Sequence, residues 1–220
     1  MVREACICPV ENDALRFDPD SVRVRPIRDD REYQGQRVEV LVYLDRARIR
    51  LQIDIGFGDV VVPPADEVVY PSLLGFPTPR IQAYPQEAVV AEKVQALVAL
   101  GAINSRMKDY YYLWALSMKL AFKGDLLAQA LRATFERRKT PLPDAQLPGL
   151  TSNFAAEHEG MWQGLLRRAS LGDGAPELAA VVADVAVFVL PPLSAVRTGG
   201  PFGNDWPPGG PWKPAKGRRD

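Results

Sequence analysis

The stretch Ala47-Arg48-Ile49-Arg50-Leu51-Gln52-Ile53-Asp54-Ile55-Gly56-Phe57 alternates apolar and polar residues almost without a break. In an extended chain this puts Ile49, Leu51, Ile53, Ile55 and Phe57 on one side of a strand. Arg48, Arg50, Gln52, Asp54 and Gly56 fall on the other. Arg37 to Leu44 has the same period, and Ser21 to Arg28 repeats it more loosely. Only the short connection Leu44-Asp45-Arg46-Ala47 joins the last two strands, which predicts a hairpin. Residues 15–62 therefore read as β-rich.

Beyond a proline-rich irregular segment, Pro63 to Pro85, the apolar period becomes helical. Pro85-Gln86-Glu87 puts proline and an acid at a helix start, and the pattern runs to Leu100, where Gly101 ends it. Asn104 or Ser105 can cap a second helix reaching about Phe122 and stopped by Gly124. Further helices are predicted over Leu126–Arg137, Glu157–Arg168 and Pro176–Leu190. Residues 191–220 hold seven prolines and six glycines. That composition predicts a disordered tail in which Trp206 and Trp212 are available to a partner. The expected class is α+β, with a β-rich part over 1–80, a helical region over 81–190 and a tail over 191–220.

With 220 residues and 47% hydrophobic content the chain can bury a substantial core. Lys+Arg and Asp+Glu are both 27, so no global charge points to a nucleic acid or a membrane surface. Cys6 and Cys8 are too close for a zinc site or a disulfide framework and are expected to be buried, reduced thiols. With no leader and no run of 18 apolar residues expected, the chain reads as soluble and cytoplasmic. A single histidine, His158, rules out a multi-histidine metal site, and no Walker-type loop occurs.

Three groups of residues can carry chemistry. Asp54 shares its strand face with Gly56 and Gly58, which leave that face bare, and its carboxylate is a hard ligand suited to Mg²⁺. The alternative is an ordinary solvent-facing acid. Asp59, on the opposite parity, reads as a turn or cap residue. Lys93 sits on its helix among Val89, Val90, Ala96 and Leu97, so its ammonium either reaches past them to water or meets an anion. Arg106 and Lys108 oppose the dipole at the start of the next helix, at a cost of a few tenths to about 1 kcal/mol. Either a phosphate is bound there, or both point into solvent and Asp109 offsets them.

Taken together, Ile53-Asp54-Ile55-Gly56-Phe57-Gly58-Asp59, Ala83-Tyr84-Pro85-Gln86-Glu87, Ala91-Glu92-Lys93 and Asn104-Ser105-Arg106-Met107-Lys108-Asp109 resemble the AbiEii/AbiGii toxin family. The resemblance spans roughly residues 10 to 190. It implies a nucleotidyltransferase fold, a partial mixed sheet followed by a helical C-terminal region. It also implies use of Mg²⁺ and a nucleoside triphosphate, with transfer of a nucleotide to an acceptor hydroxyl, on tRNA or another molecule. Several members are toxins of type IV toxin–antitoxin systems with a cognate antitoxin.

The resemblance assigns the site residue by residue. Asp54 matches the third carboxylate of the metal site, Lys93 and Arg106 the basic residues holding the triphosphate, and Asp109 the acid closing the last motif, with Lys108 beside it. The family's opening motif is a glycine pair with Ser or Thr followed by two aspartates one residue apart. Nothing before residue 15 matches it, since Glu11-Asn12-Asp13 lacks the glycines, and Tyr112 stands where the family often has an acid. An N-terminally incomplete domain and a poor catalyst are therefore expected. A member that binds nucleotide or antitoxin without chemistry, and a helical interaction module that meets no nucleotide, are the alternatives.

Overall fold

The computed structural model describes residues 1–10, 13–28, 34–58, 60–72, 75–143, 146–171 and 174–215. Two compact units divide the chain, 1–59 and 60–220.

In the first unit a short helix α1 (Val2–Cys6) precedes three antiparallel strands, β1 (Leu15–Arg28), β2 (Gln34–Leu44) and β3 (Ala47–Gly56), in the order β1-β2-β3. The hairpin between β2 and β3 closes through Asp45, whose φ of 50° is a conformation aspartate tolerates. Leu44 pairs with Ala47, and that register carries on to Arg37 opposite Asp54. Between Asp18 and Arg23 the β1–β2 register slips, near Pro19, which lacks a ladder donor. Ser21 closes the gap, its hydroxyl donating to the Asp18 carbonyl at 2.7 Å and accepting from the Leu41 N–H at 2.8 Å. Val38, Val40 and Val42 of the central strand are buried, whereas Ile49, Leu51 and Ile53 on the edge strand β3 stay exposed.

The second unit opens with a small hairpin, β4 (Asp66–Val69) with β5 (Arg80–Ala83), and continues as a helical core. Helix α2 (Gln86–Leu100) begins after Pro85 and ends at Gly101, φ 55°, where the sequence pattern puts both stops. Helices α3 (Met107–Lys119), α4 (Gly124–Arg137), α5 (Ser152–Ala169) and α6 (Leu178–Thr198) complete the core. The Thr151 side chain caps α5, accepting from the Phe154 N–H at 3.1 Å. Buried residues of all five helices, among them Val90, Leu113, Leu131, Trp162 and Val185, form one cluster.

Two expectations about this region need correction. The second predicted helix stops at Lys119, and Gly124 starts a helix where it was expected to end one. Phe122 and Lys123 leave the helical path because they form a strand, β6 (Phe122–Lys123), that pairs with β7 (Asn204–Trp206), itself paired with β8 (Lys213–Pro214). A β-carbon at Gly124 would collide with the Asn204 carbonyl, so glycine permits this approach.

Residues 191–215, expected as a loose tail, are ordered, and the reason is hydrogen bonding. Helix α6 runs straight through Pro191 and Pro192. Pro192 has no N–H, so the Phe188 carbonyl one turn back loses its helical partner. The Trp212 indole N–H donates to that carbonyl at 2.9 Å. The Trp206 indole donates to the Ser117 carbonyl, in the last turn of α3, at 2.7 Å. Phe188 lies 4.9 Å from Trp206 and 5.9 Å from Trp212, ring centre to ring centre. Both tryptophans are thus spent inside the unit.

Contrary to expectation, α6 is long and apolar enough to cross a membrane by length and composition. One face of it, with Val181, Val185, Val189 and Leu193 at helical spacing, is buried in the core, whereas Val187 and Leu190 are exposed. Cys8 is exposed rather than buried, and neither cysteine is in a disulfide.

Candidate functional site

Lys93 leaves α2 through the apolar neighbours noted above and meets an anion from its own chain. Its Nζ lies 2.8 Å from Asp109 Oδ1 and 4.7 Å from the centre of the Tyr112 ring. Asp109 sits in the first turn of α3, with its side chain only 7% exposed. Its other oxygen, Oδ2, is 2.7 Å from Arg106 Nε. No N–H is aligned on Oδ2, so this second contact is a charge attraction and the oxygen keeps acceptor capacity. One buried carboxylate therefore joins two cations from consecutive helices. The preceding turn is held by the Asn104 side chain, which accepts from the Arg106 N–H at 2.9 Å.

Next to this clamp is a cleft of about 710 Å³. Ser105, Arg106, Lys108 and Tyr112 line it from the α3 side, and Met161 and Arg168 from α5. Nothing lies within 4 Å of where a β-carbon on Gly160 would be, and at Gly164 the nearest atom is Arg168 Nη1 at 3.4 Å. The two glycines keep the α5 wall low, and Arg168 folds over the second. Lys108 and Arg168 are exposed and have no ion pair among the described residues. Lys93 stands behind Asp109 and is not part of the wall.

Tyr110 supports the clamp from within. It is fully buried, donates to the Gly149 carbonyl at 3.0 Å and stacks on Phe154 with ring centres 5.2 Å apart. Burial raises its phenol well above the usual value; the Asn104 side chain opposes this and the Asp109 charge adds to it.

Asp54 belongs to the first unit and has a different setting. Arg37, directly across the ladder, grips it with Nε on Oδ1 and Nη2 on Oδ2, both at 2.8 Å. Gln52 Nε2 lies 3.3 Å from each oxygen. The Arg37 hydrogen bonds hold the carboxyl below its usual range, outweighing desolvation. Among the described residues no group of three or more His, Cys, Asp or Glu side chains is placed to hold a metal. The surroundings of Asp54 among the described residues, a guanidinium and an amide with no second carboxylate, do not fit Mg²⁺, which takes oxygen ligands. Asp59, Glu11 and Asn12 lie outside the described residues. His158 stacks on Phe154 at 4.1 Å and its Nδ1 faces the Phe154 carbonyl at 3.0 Å, a packing role.

A sequence model of the family described as nucleotidyl transferase AbiEii toxin, type IV TA system, matches residues 2–184. The chain belongs to this AbiEii family. No curated protein and no solved structure matches it. The AbiEii match ends inside α6, so the tail that carries Trp206 and Trp212 lies beyond it.

Of the residues picked from the AbiEii motifs, Lys93, Arg106 and Asp109 come together and Lys108 lines the adjoining cleft. Two neighbours were missed. Arg37 was readable from the hairpin, because a Leu44–Ala47 closure puts it opposite Asp54. Arg168 was readable from its spacing with Gly160 and Gly164 on one helix face.

Proposed function

We propose that this chain is the nucleotide-transferring toxin of a type IV toxin–antitoxin pair, and that the α3–α5 cleft receives the phosphates of a nucleoside triphosphate. The supporting observation is the buried Asp109 bridge, which holds Arg106 at the mouth of a cleft that also offers Lys108 and Arg168, neither in an ion pair among the described residues. Phosphates entering there meet three cations at the positive end of the α3 dipole. As an acceptor hydroxyl forms its bond to the α-phosphorus and the bond to the departing pyrophosphate breaks, negative charge grows on the leaving group. Arg106, Lys108 and Arg168 are placed to offset that charge. Asp109 orients Arg106, and Lys93 holds Asp109 in place.

Calorimetric titration with each of the four ribonucleoside triphosphates tests the binding step. Arg106→Ala and Lys108→Ala should each weaken binding by about 10- to 150-fold, the worth of a charge-assisted hydrogen bond at 1.5–3 kcal/mol. Failure of every triphosphate to bind the wild-type chain would refute the proposal. Transfer of label from an α-labelled triphosphate to RNA or protein tests the second step. The Arg37–Asp54 pair favours a second reading, nucleotide binding without turnover. Its signature is heat on binding with no transfer of label.

A further inference from the structure

The three-stranded sheet of the first unit segregates charge sharply. Register puts Arg25, Arg37 and Asp54 in one cross-strand row, then Arg23, Glu39 and Gln52, then Asp18, Leu41 and Arg50, then Arg16, Tyr43 and Arg48. Partners in a row share a face, so one side of the sheet carries six arginines. The other side carries Val38, Val40, Val42 and their apolar partners on β3. Six arginines against Asp18, Glu39 and Asp54 leave a surplus of three positive charges, in a chain whose net charge is zero.

The acids on this face do not cancel the array. Glu39, at the centre, lies 3.5 Å from Arg25 and 3.8 Å from Arg50, and so spaces two guanidiniums rather than neutralising the row. Arg23 has no ion pair among the described residues. Arg16 and Arg48 hold their guanidiniums 4.4 Å and 5.8 Å from the centre of the Tyr43 ring. Arg16, Arg23, Arg25, Arg48 and Arg50 are exposed. A shallow cavity of about 170 Å³ opens among Asp20, Ser21, Arg23, Arg25, Glu39 and Arg50, so three arginines share it with two acidic residues.

We infer that this face binds a single-stranded nucleic acid laid along the strands. Three features select that partner. Same-face residues on a strand recur about every 7 Å, so the rows span roughly 20 Å with cations at intervals suited to successive phosphates. Guanidinium forks match phosphate oxygens two at a time, which a lysine surface would not do. Tyr43 with its two neighbouring guanidiniums offers planar groups onto which a base can add. An acidic protein surface has no such regular repeat. This assignment stands apart from the nucleotide-binding proposal, since it uses none of the residues of the α3–α5 cleft.

The test is fluorescence anisotropy with a labelled 20-nucleotide single-stranded RNA of mixed sequence, titrated at several salt concentrations. Four rows at this spacing match about four successive phosphates and give a log–log salt slope of about −3, at roughly 0.7 per phosphate. The combined variant Arg16→Ala, Arg23→Ala, Arg48→Ala and Arg50→Ala should bind on the order of 100-fold more weakly at 0.1 M salt, with a slope near about −1. The matching set of Arg→Lys changes keeps the charge and should keep most of the slope; it also shows whether lost binding is a folding artefact, as does circular dichroism. Nucleotide calorimetry on the alanine variant should be unchanged, which separates this surface from the cleft. Equal RNA binding by wild type and alanine variant would overturn the assignment. So would a flat salt dependence, or tighter binding to a duplex or to polyglutamate.

Discussion

Replacing Asp109 by asparagine keeps its shape and removes the one charge that two cations share. Asp109 and Lys93 have side chains only 7% and 19% exposed, so they are a buried pair, whereas Arg106 is 58% exposed. Stranding one partner of a buried pair costs about 3–5 kcal/mol. Arg106 can turn to water at little cost. Lys93 keeps the Tyr112 ring, worth about 0.5–2 kcal/mol, so the low end applies, about 3 kcal/mol. For a unit of this size that is a fall of roughly 6–12 °C in Tm. Scanning calorimetry on the wild type, Asp109→Asn, and the cycle of Lys93→Met, Asp109→Leu and their double variant tests this. Because an apolar pair of similar volume often replaces a buried ion pair without loss, the double variant should be close to wild type. Asp109→Asn melting within about 2 °C of wild type, or a double variant as poor as the sum of the singles, would refute the reasoning.

The tail and the clamp support give further expectations. Trp212→Phe keeps an aromatic ring against Phe188 but leaves the Phe188 carbonyl without a donor, so urea denaturation should show a loss of about 1–3 kcal/mol. An unchanged midpoint would mean that water replaces the indole. Tyr110 has a phenol raised by folding, so the folded state keeps a proton that the unfolded state loses above about pH 10. Its stabilisation is complete below that pH and lost as pH rises further; stability measured from pH 9 to 11 should fall less steeply in Tyr110→Phe than in wild type. Asp54 works in the opposite sense. Its lowered carboxyl stabilises above about pH 4 and the effect is lost as pH falls through the folded value, so Asp54→Asn should flatten the acid limb of Tm between pH 5 and 2.

The β-rich start, the helices that follow and the hairpin register were legible because each rests on a local period or a local stop. Pro85 and Gly101 frame α2 in the sequence just as in the structure. What escaped was non-local. Phe122-Lys123 becomes a strand only because residues more than 80 positions later pair with it. The proline-rich tail is ordered only because Trp212 supplies the donor that Pro192 lacks, and composition contains no hint of that exchange. At the site, the apolar neighbours of Lys93 left two outcomes open, water or an anion. The anion, Asp109, was in view as a motif residue, but nothing in the spacing showed that it would serve Lys93 and Arg106 at once.

The same comparison separates two carboxylates that the AbiEii motifs name side by side. Asp109 is buried between cations, and any competing cation must first displace Lys93 from a site where water cannot take its place. Asp54 is also fully paired, but its pair with Arg37 is half open to solvent, and both groups can be hydrated if they part. Chemical identity is the same; the cost of release differs. If either acid accepts a cation from solution, it is Asp54, and it does so only when Arg37 lets go. Asp109 is then a fixed counter-charge that sets where Arg106 points, and its loss should be read first as a change of stability and geometry.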